Sequence, residues 1–133
     1  MQSRHKLTLA ILATLLVLFL CLLPRAWMGP EHIHLIPHSD KIVHFGMFFL
    51  FALLWARVAE AGEAFRARVV MIAISVVCLA ISTEWAQGFS FVDRDPDVLD
   101  ALADTAGGFA GLFAESSLRS IRQQRRSLQM AER

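Results

Sequence analysis

Four stretches of this chain carry almost nothing but apolar side chains, and the polar residues between them gather around prolines. The first, Leu7 to Leu23, holds no charge over 17 residues. As a helix rising 1.5 Å per residue it covers about 26 Å, enough with its flanks to cross a bilayer. The second, Ile42 to Ala56, is rich in Phe and Leu and has His44 near its start; the third, Val69 to Thr83, runs on through Glu84 to Ala86. The fourth, Val98 to Ala114, consists mainly of Ala, Gly, Leu and Phe but contains Asp100 and Asp104. All four predict helix, because a segment in lipid must satisfy its own backbone and the alternation of a barrel strand is missing. Pro24, Pro30, Pro37 and Pro96 fall between the runs, where helix breakers belong. The expectation is an all-α, polytopic integral membrane protein whose four transmembrane helices pack as a small bundle. A cleaved signal peptide competes for the first run, given Arg4 and Lys6 before it, but no A-x-A-like site follows. A re-entrant segment competes for the fourth.

Composition supports a lipid solvent. Of 133 residues 56% are apolar and 19% charged, against about 45–50% and about 25% in soluble domains. The length allows one domain, read as a transmembrane unit over residues 1–116 followed by a basic cytoplasmic tail over 117–133. Cys21 and Cys78 lie in apolar runs and read as small buried side chains. Orientation follows from Lys and Arg: ten of them (Arg4, Lys6, Arg57, Arg66, Arg68 and the five of the tail) fall on one side, and Arg25, Lys41 and Arg94 on the other. The positive-inside rule then makes both termini cytoplasmic. Eight of the 12 acids, including Asp40, Glu84, Asp97, Asp100 and Asp104, fall on the outer side.

The chemistry-bearing residues therefore collect at one membrane face. Asp97, Asp100, Asp104, Gly107 and Gly111 step by three and four, which on a helix makes one stripe, acidic at its outer end and free of side chains deeper in. Gly107 and Gly111 form a G-x-x-x-G pair that lets another helix approach closely, so the stripe faces protein. Asp40 and His44 stand one turn apart, and Glu84 and Gln87 three residues apart. Lys41 and Arg94 are the counter-charges. Ionisable groups inside a membrane point to function by default. The candidate binding set is Asp40, Lys41, His44, Glu84, Gln87, Arg94, Asp100 and Asp104, with His44, Glu84 and Asp100 the candidates for catalysis. The run of His32, His34, His38, Asp40 and His44 matches no recognised zinc spacing, so neither metal nor cofactor is expected. Neither a phosphate-binding G-x-x-x-x-G-K-[ST], a G-x-S-x-G nor a nucleic-acid module is present.

D-K-x-x-H-F at Asp40 to Phe45, E-x-x-Q at Glu84 to Gln87, Arg94, and D-x-x-x-D-x-x-G-x-x-x-G from Asp100 to Gly111 occur in this order between apolar runs. In this the chain resembles the VanZ-like family of small bacterial membrane proteins, over roughly Asp40 to Leu112. Position 104 departs from the family pattern, which usually has Asn where this chain has Asp104. The resemblance implies a multi-span membrane protein, and its namesake is linked to resistance to the glycopeptide teicoplanin. Three functions remain open. The first is a cell-envelope accessory protein binding an anionic or polyprenyl-linked lipid headgroup, or a partner protein. In the second, a membrane enzyme acts on such a lipid through His44, oriented by Asp40, with Glu84 or Asp100. The third is a small proton-coupled transporter using Asp104, Asp100, Glu84 and His44. Membrane lipids and an envelope-biogenesis protein are the expected partners, and nucleic acid is not.

Overall fold

A computed structural model of the chain describes residues 2–27, 39–59 and 65–131. Glu31, His32, His34, His38, Glu60, Glu63, Glu132 and Arg133 lie outside the described residues. Helices α1 (Gln2–Cys21), α2 (Ser39–Val58), α3 (Phe65–Gln87) and α4 (Val98–Ala131) make up nearly all of them. A single 3-10 turn, Arg25–Trp27, follows α1.

Helices α1, α2 and α3 are long and apolar enough to cross a membrane. None has a polar face; each is apolar all round, the pattern of a helix surrounded by lipid or protein. Only 17%, 33% and 22% of their apolar windows are buried inside the protein, so most of that apolar surface is left uncovered by the bundle. Leu12, Leu15 and Phe19 on α1, Met71, Ile74 and Ile81 on α3, and Ile42 and Leu50 on α2 all point outward.

Helix α4 is different, because it is 34 residues long and on average less apolar. Its distribution explains the low average. Asp100, Asp104, Gly107, Gly108, Gly111, Leu112 and Glu115 are buried, while Val98, Leu99, Leu102, Phe109 and Phe113 are exposed. The acids that lower its hydropathy face the bundle, and its outward face over the first half is as apolar as those of the other helices. Beyond Glu115 the helix continues unbroken through the basic segment, where every residue from Ser120 to Ala131 is exposed.

Packing is organised by α2 and α4, which run in the same direction. Their contacts keep a nearly constant sequence offset, 60 residues for His44 with Asp104 and 58 for Arg57 with Glu115. Gly107 and Gly111 lie directly against α2: a Cβ on Gly107 would collide with the Phe45 carbonyl oxygen, and one on Gly111 with that of Phe49. Gly108 turns toward α3, where a Cβ would strike the side chain of Val76. Close approach of this kind is how helices associate in lipid, where the hydrophobic effect does not drive them together. Around this seam lies a core of Val17, Cys21, Met47, Phe48, Phe51, Ala52, Ala56, Val76, Ala80 and Leu112. Helix α1 is tied on by Trp55 Nε1, which donates to Thr14 Oγ1 at 2.9 Å.

The far end of the seam is closed by charge. Glu115, 2% exposed, accepts from Arg57 Nε at 3.0 Å and Arg119 Nε at 3.2 Å. Arg119 Nη2 also donates to the Ala56 carbonyl and, at 2.7 Å, to that of Ala59, capping the open end of α2.

Candidate functional site

At the opposite end, α2 begins, α3 ends and α4 begins, and the loop of residues 88–97 joins the last two. Pro96 breaks the chain before α4, and Asp97 starts the helix: its Oδ1 accepts the Leu99 N–H at 2.8 Å, an N-cap. The Asp97 N–H donates to Glu84 Oε2 at 2.8 Å, which fixes the end of α3 to the start of α4. The Arg94 N–H reaches the Gln87 carbonyl at 3.2 Å, and Arg94 Nη1 the Cys21 carbonyl at 3.4 Å, so the loop also clasps the end of α1. Arg25 N–H to the Val92 carbonyl at 2.9 Å completes the clasp. These contacts concern backbone positions, yet they set the depth at which the acidic side chains sit.

Within that frame the side chains form two connected groups. Lys41 Nζ donates to Asp97 Oδ2 at 2.6 Å, to Asp100 Oδ1 at 2.9 Å and to Asp40 Oδ2 at 3.4 Å. Deeper in, His44 Nδ1 lies 3.0 Å from Asp104 Oδ1, with His44 4% and Asp104 0% exposed. Between the two groups, a ring nitrogen of His44 and one carboxylate oxygen each of Glu84 and Asp100 lie within 4.8 Å of one another. Three buried polar atoms here have no hydrogen-bond partner: Glu84 Oε1, Gln87 Nε2 and Asp104 Oδ2. Two are acceptors and one is a donor.

The structure thus brings His44, Glu84, Asp100, Asp104 and Lys41 together and buries Gln87 beside Glu84 on α3. Asp40 lies at the edge, its side chain 44% exposed and turned to Lys41. Sequence spacing suggested Asp40 as the group that orients His44; Asp104 of α4 does so instead, because α4 runs alongside α2 with the register that faces 104 to 44. Lys41, read from the sequence as a counter-charge, has three carboxylates around it, those of Asp40, Asp97 and Asp100. Arg94 is different: among the described residues no carboxylate lies in ion-pair range of it.

Sequence reasoning left several residues out of the site. Asp97, placed in the acidic stripe but not in the binding set, is a partner of both Lys41 and Glu84; the sequence P-D before an apolar run is an N-cap signal that could have placed it. Gly108 was also passed over, although a Gly-Gly pair in a helix signals close neighbours on two sides. Arg57 and Glu115 are 58 residues apart, and no local pattern pairs them. Compared with models of known protein families, with curated proteins and with solved structures, the chain matches none of them.

Proposed function

We propose that this chain is a multi-pass protein of a bacterial cytoplasmic membrane, of the VanZ-like kind, whose polar cluster opens outward and binds the head of an envelope lipid. The observation that supports this best is the set of unpartnered atoms. A polar cluster that served only to hold helices together would be expected to satisfy its members, because an unsatisfied buried polar group costs about 1–3 kcal/mol. Here Glu84 Oε1, Asp104 Oδ2 and Gln87 Nε2 are buried and unmatched, an arrangement suited to hydroxyl or amine donors and one carbonyl or phosphoryl acceptor. Arg94 is the cation best placed for a phosphate, with the donor fork that phosphates favour. In this reading α4 is a fourth span, its acids turned to the ligand and its apolar face to lipid.

A membrane enzyme acting on the same headgroup is the second reading, and the His44–Asp104 pair favours it. A carboxylate holding Nδ1 of an imidazole leaves Nε2 to take or give a proton, next to Glu84. The first test is the envelope lipid profile, including polyprenyl-linked species, of a deletion strain carrying wild type or an equally abundant Glu84→Gln variant. One species accumulating with the variant and clearing with wild type is the expected result. Coincident profiles would remove the lipid from the proposal.

Orientation has a separate test. In a Cys78→Ser background, a cysteine replacing the exposed Ser90 should react with a membrane-impermeant thiol reagent in intact cells, while one replacing Arg125 should be protected. The reverse pattern puts the cluster on the cytoplasmic side.

A further inference from the structure

The most unbalanced part of the molecule is the space among His44, Glu84 and Asp100. All three are buried, at 4%, 6% and 5% exposure, and come from three different helices. With Asp104 they gather three carboxylates and one imidazole in a low-dielectric interior, where an uncompensated charge is costly. Lys41 pairs with Asp100 and His44 with Asp104. Glu84 has no basic side chain in ion-pair range among the described residues, and its Oε1 has no partner of any kind. A buried carboxylate that stands beside two other donor groups and keeps one oxygen unmatched points to a missing cation.

We propose that His44, Glu84 and Asp100 bind one divalent metal ion of the zinc or manganese class. One imidazole nitrogen and two carboxylates form an accepted donor set for zinc and suit manganese equally. Zinc with bonds of about 2.0–2.2 Å holds tetrahedral ligands about 3.4 Å apart; the three donor atoms, within 4.8 Å of one another, reach that spacing by small side-chain rotations. Asp104 completes the arrangement from behind. With Nδ1–H donated to the Asp104 carboxylate, the His44 ring presents Nε2 as its lone pair, and such a carboxylate behind a histidine raises its strength as a ligand. Asp104 is therefore a positioning residue. Three protein ligands leave a coordination position for water or substrate, so the ion would turn an acidic cluster into a receptor for a phosphate or hydroxyl. The inference rests on reading the cluster as a binding site.

The test uses the full chain purified in detergent micelles, stripped with a chelator and titrated with zinc or, separately, manganese. Wild type should bind one ion per chain and gain thermal stability on binding. His44→Ala and Glu84→Gln should lose saturable binding while keeping wild-type helicity and elution volume, and Asp104→Asn should bind about 10–100-fold more weakly. Because His32, His34 and His38 offer imidazoles close by in sequence, a triple glutamine variant at those positions must still bind. Binding that disappears with those three and survives His44→Ala overturns the proposal, as does wild type that saturates with neither ion. Metal binding without any change of lipids in the Glu84→Gln strain would keep the ion and remove the lipid. The converse result would remove the ion alone.

Discussion

Replacing Gly107 by leucine should prevent the bundle from assembling, and alanine at the same position should already lower its stability markedly. The reason is geometric. The atom a Cβ would meet is the backbone carbonyl of Phe45, which no rotamer change can move aside, so α2 and α4 must separate along the seam that organises the fold. Overpacking a well-fitted site costs about 1–3 kcal/mol, and here the separation also pulls His44 away from Asp104 and Arg57 from Glu115. Gly46 supplies the control, since a Cβ there meets nothing within 4 Å. Gly46→Ala should be neutral or stabilising by up to about 1 kcal/mol, the ordinary gain of Ala over Gly in a helix. Unfolding midpoints of the two alanine variants in one detergent check the contrast. Equal midpoints would mean that the close approach is not what holds α2 to α4.

The second large effect is at Asp104. Asp104→Leu removes the only described partner of the His44 ring and leaves a buried N–H without an acceptor, at a cost of about 1–3 kcal/mol. Asp104→Asn keeps an oxygen for that N–H and should stay within about 1 kcal/mol of wild type. If the two groups act as a pair, His44→Leu combined with Asp104→Leu should cost clearly less than the two single losses added together. Additive losses would show that the 3.0 Å contact carries no coupling. Thermal unfolding of the four variants gives the answer.

How far the sequence went in foreshadowing this structure depended on what each feature needs. The helices were legible because α1, α2 and α3 each contain a long uninterrupted apolar run. Their ends were less so: α1 starts at Gln2 and α4 runs to Ala131, since polar residues such as Arg4, Lys6 and Arg119 continue a helix as readily as they end a hydropathy run. Helix α4 was the weakest reading because an average over the helix mixes two opposite faces, Asp100 and Asp104 turned inward, Leu102 and Phe109 outward. The stripe of Asp100, Asp104, Gly107 and Gly111 could be read because a step of three and four keeps residues on one face of a helix, and all four are buried. Which partner each would meet could not. The choice of Asp104 over Asp40 for His44 depends on the parallel register of α2 with α4, and convergence of His44, Glu84 and Asp100 depends on three helices at once. Their spacings in the chain, 40 residues from His44 to Glu84 and 16 from Glu84 to Asp100, match no local metal-binding pattern.

In the proposed function the polar cluster is kept for a ligand and not for packing, and Glu84 is where the two uses separate. A glutamine there has the same shape and still offers an oxygen to the Asp97 N–H, the one described hydrogen bond that the Glu84 side chain makes. It removes the ability to carry a buried charge and puts an amide NH2 where the unpartnered Oε1 stood. The direct measurement is the unfolding midpoint of chelator-treated Glu84→Gln beside wild type in the same detergent. If the cluster is held ready for a ligand, the variant should be as stable as wild type or more so, as is common when a strained site is neutralised. A fall as large as that of Gly107→Ala would contradict the account and make Glu84 part of the packing.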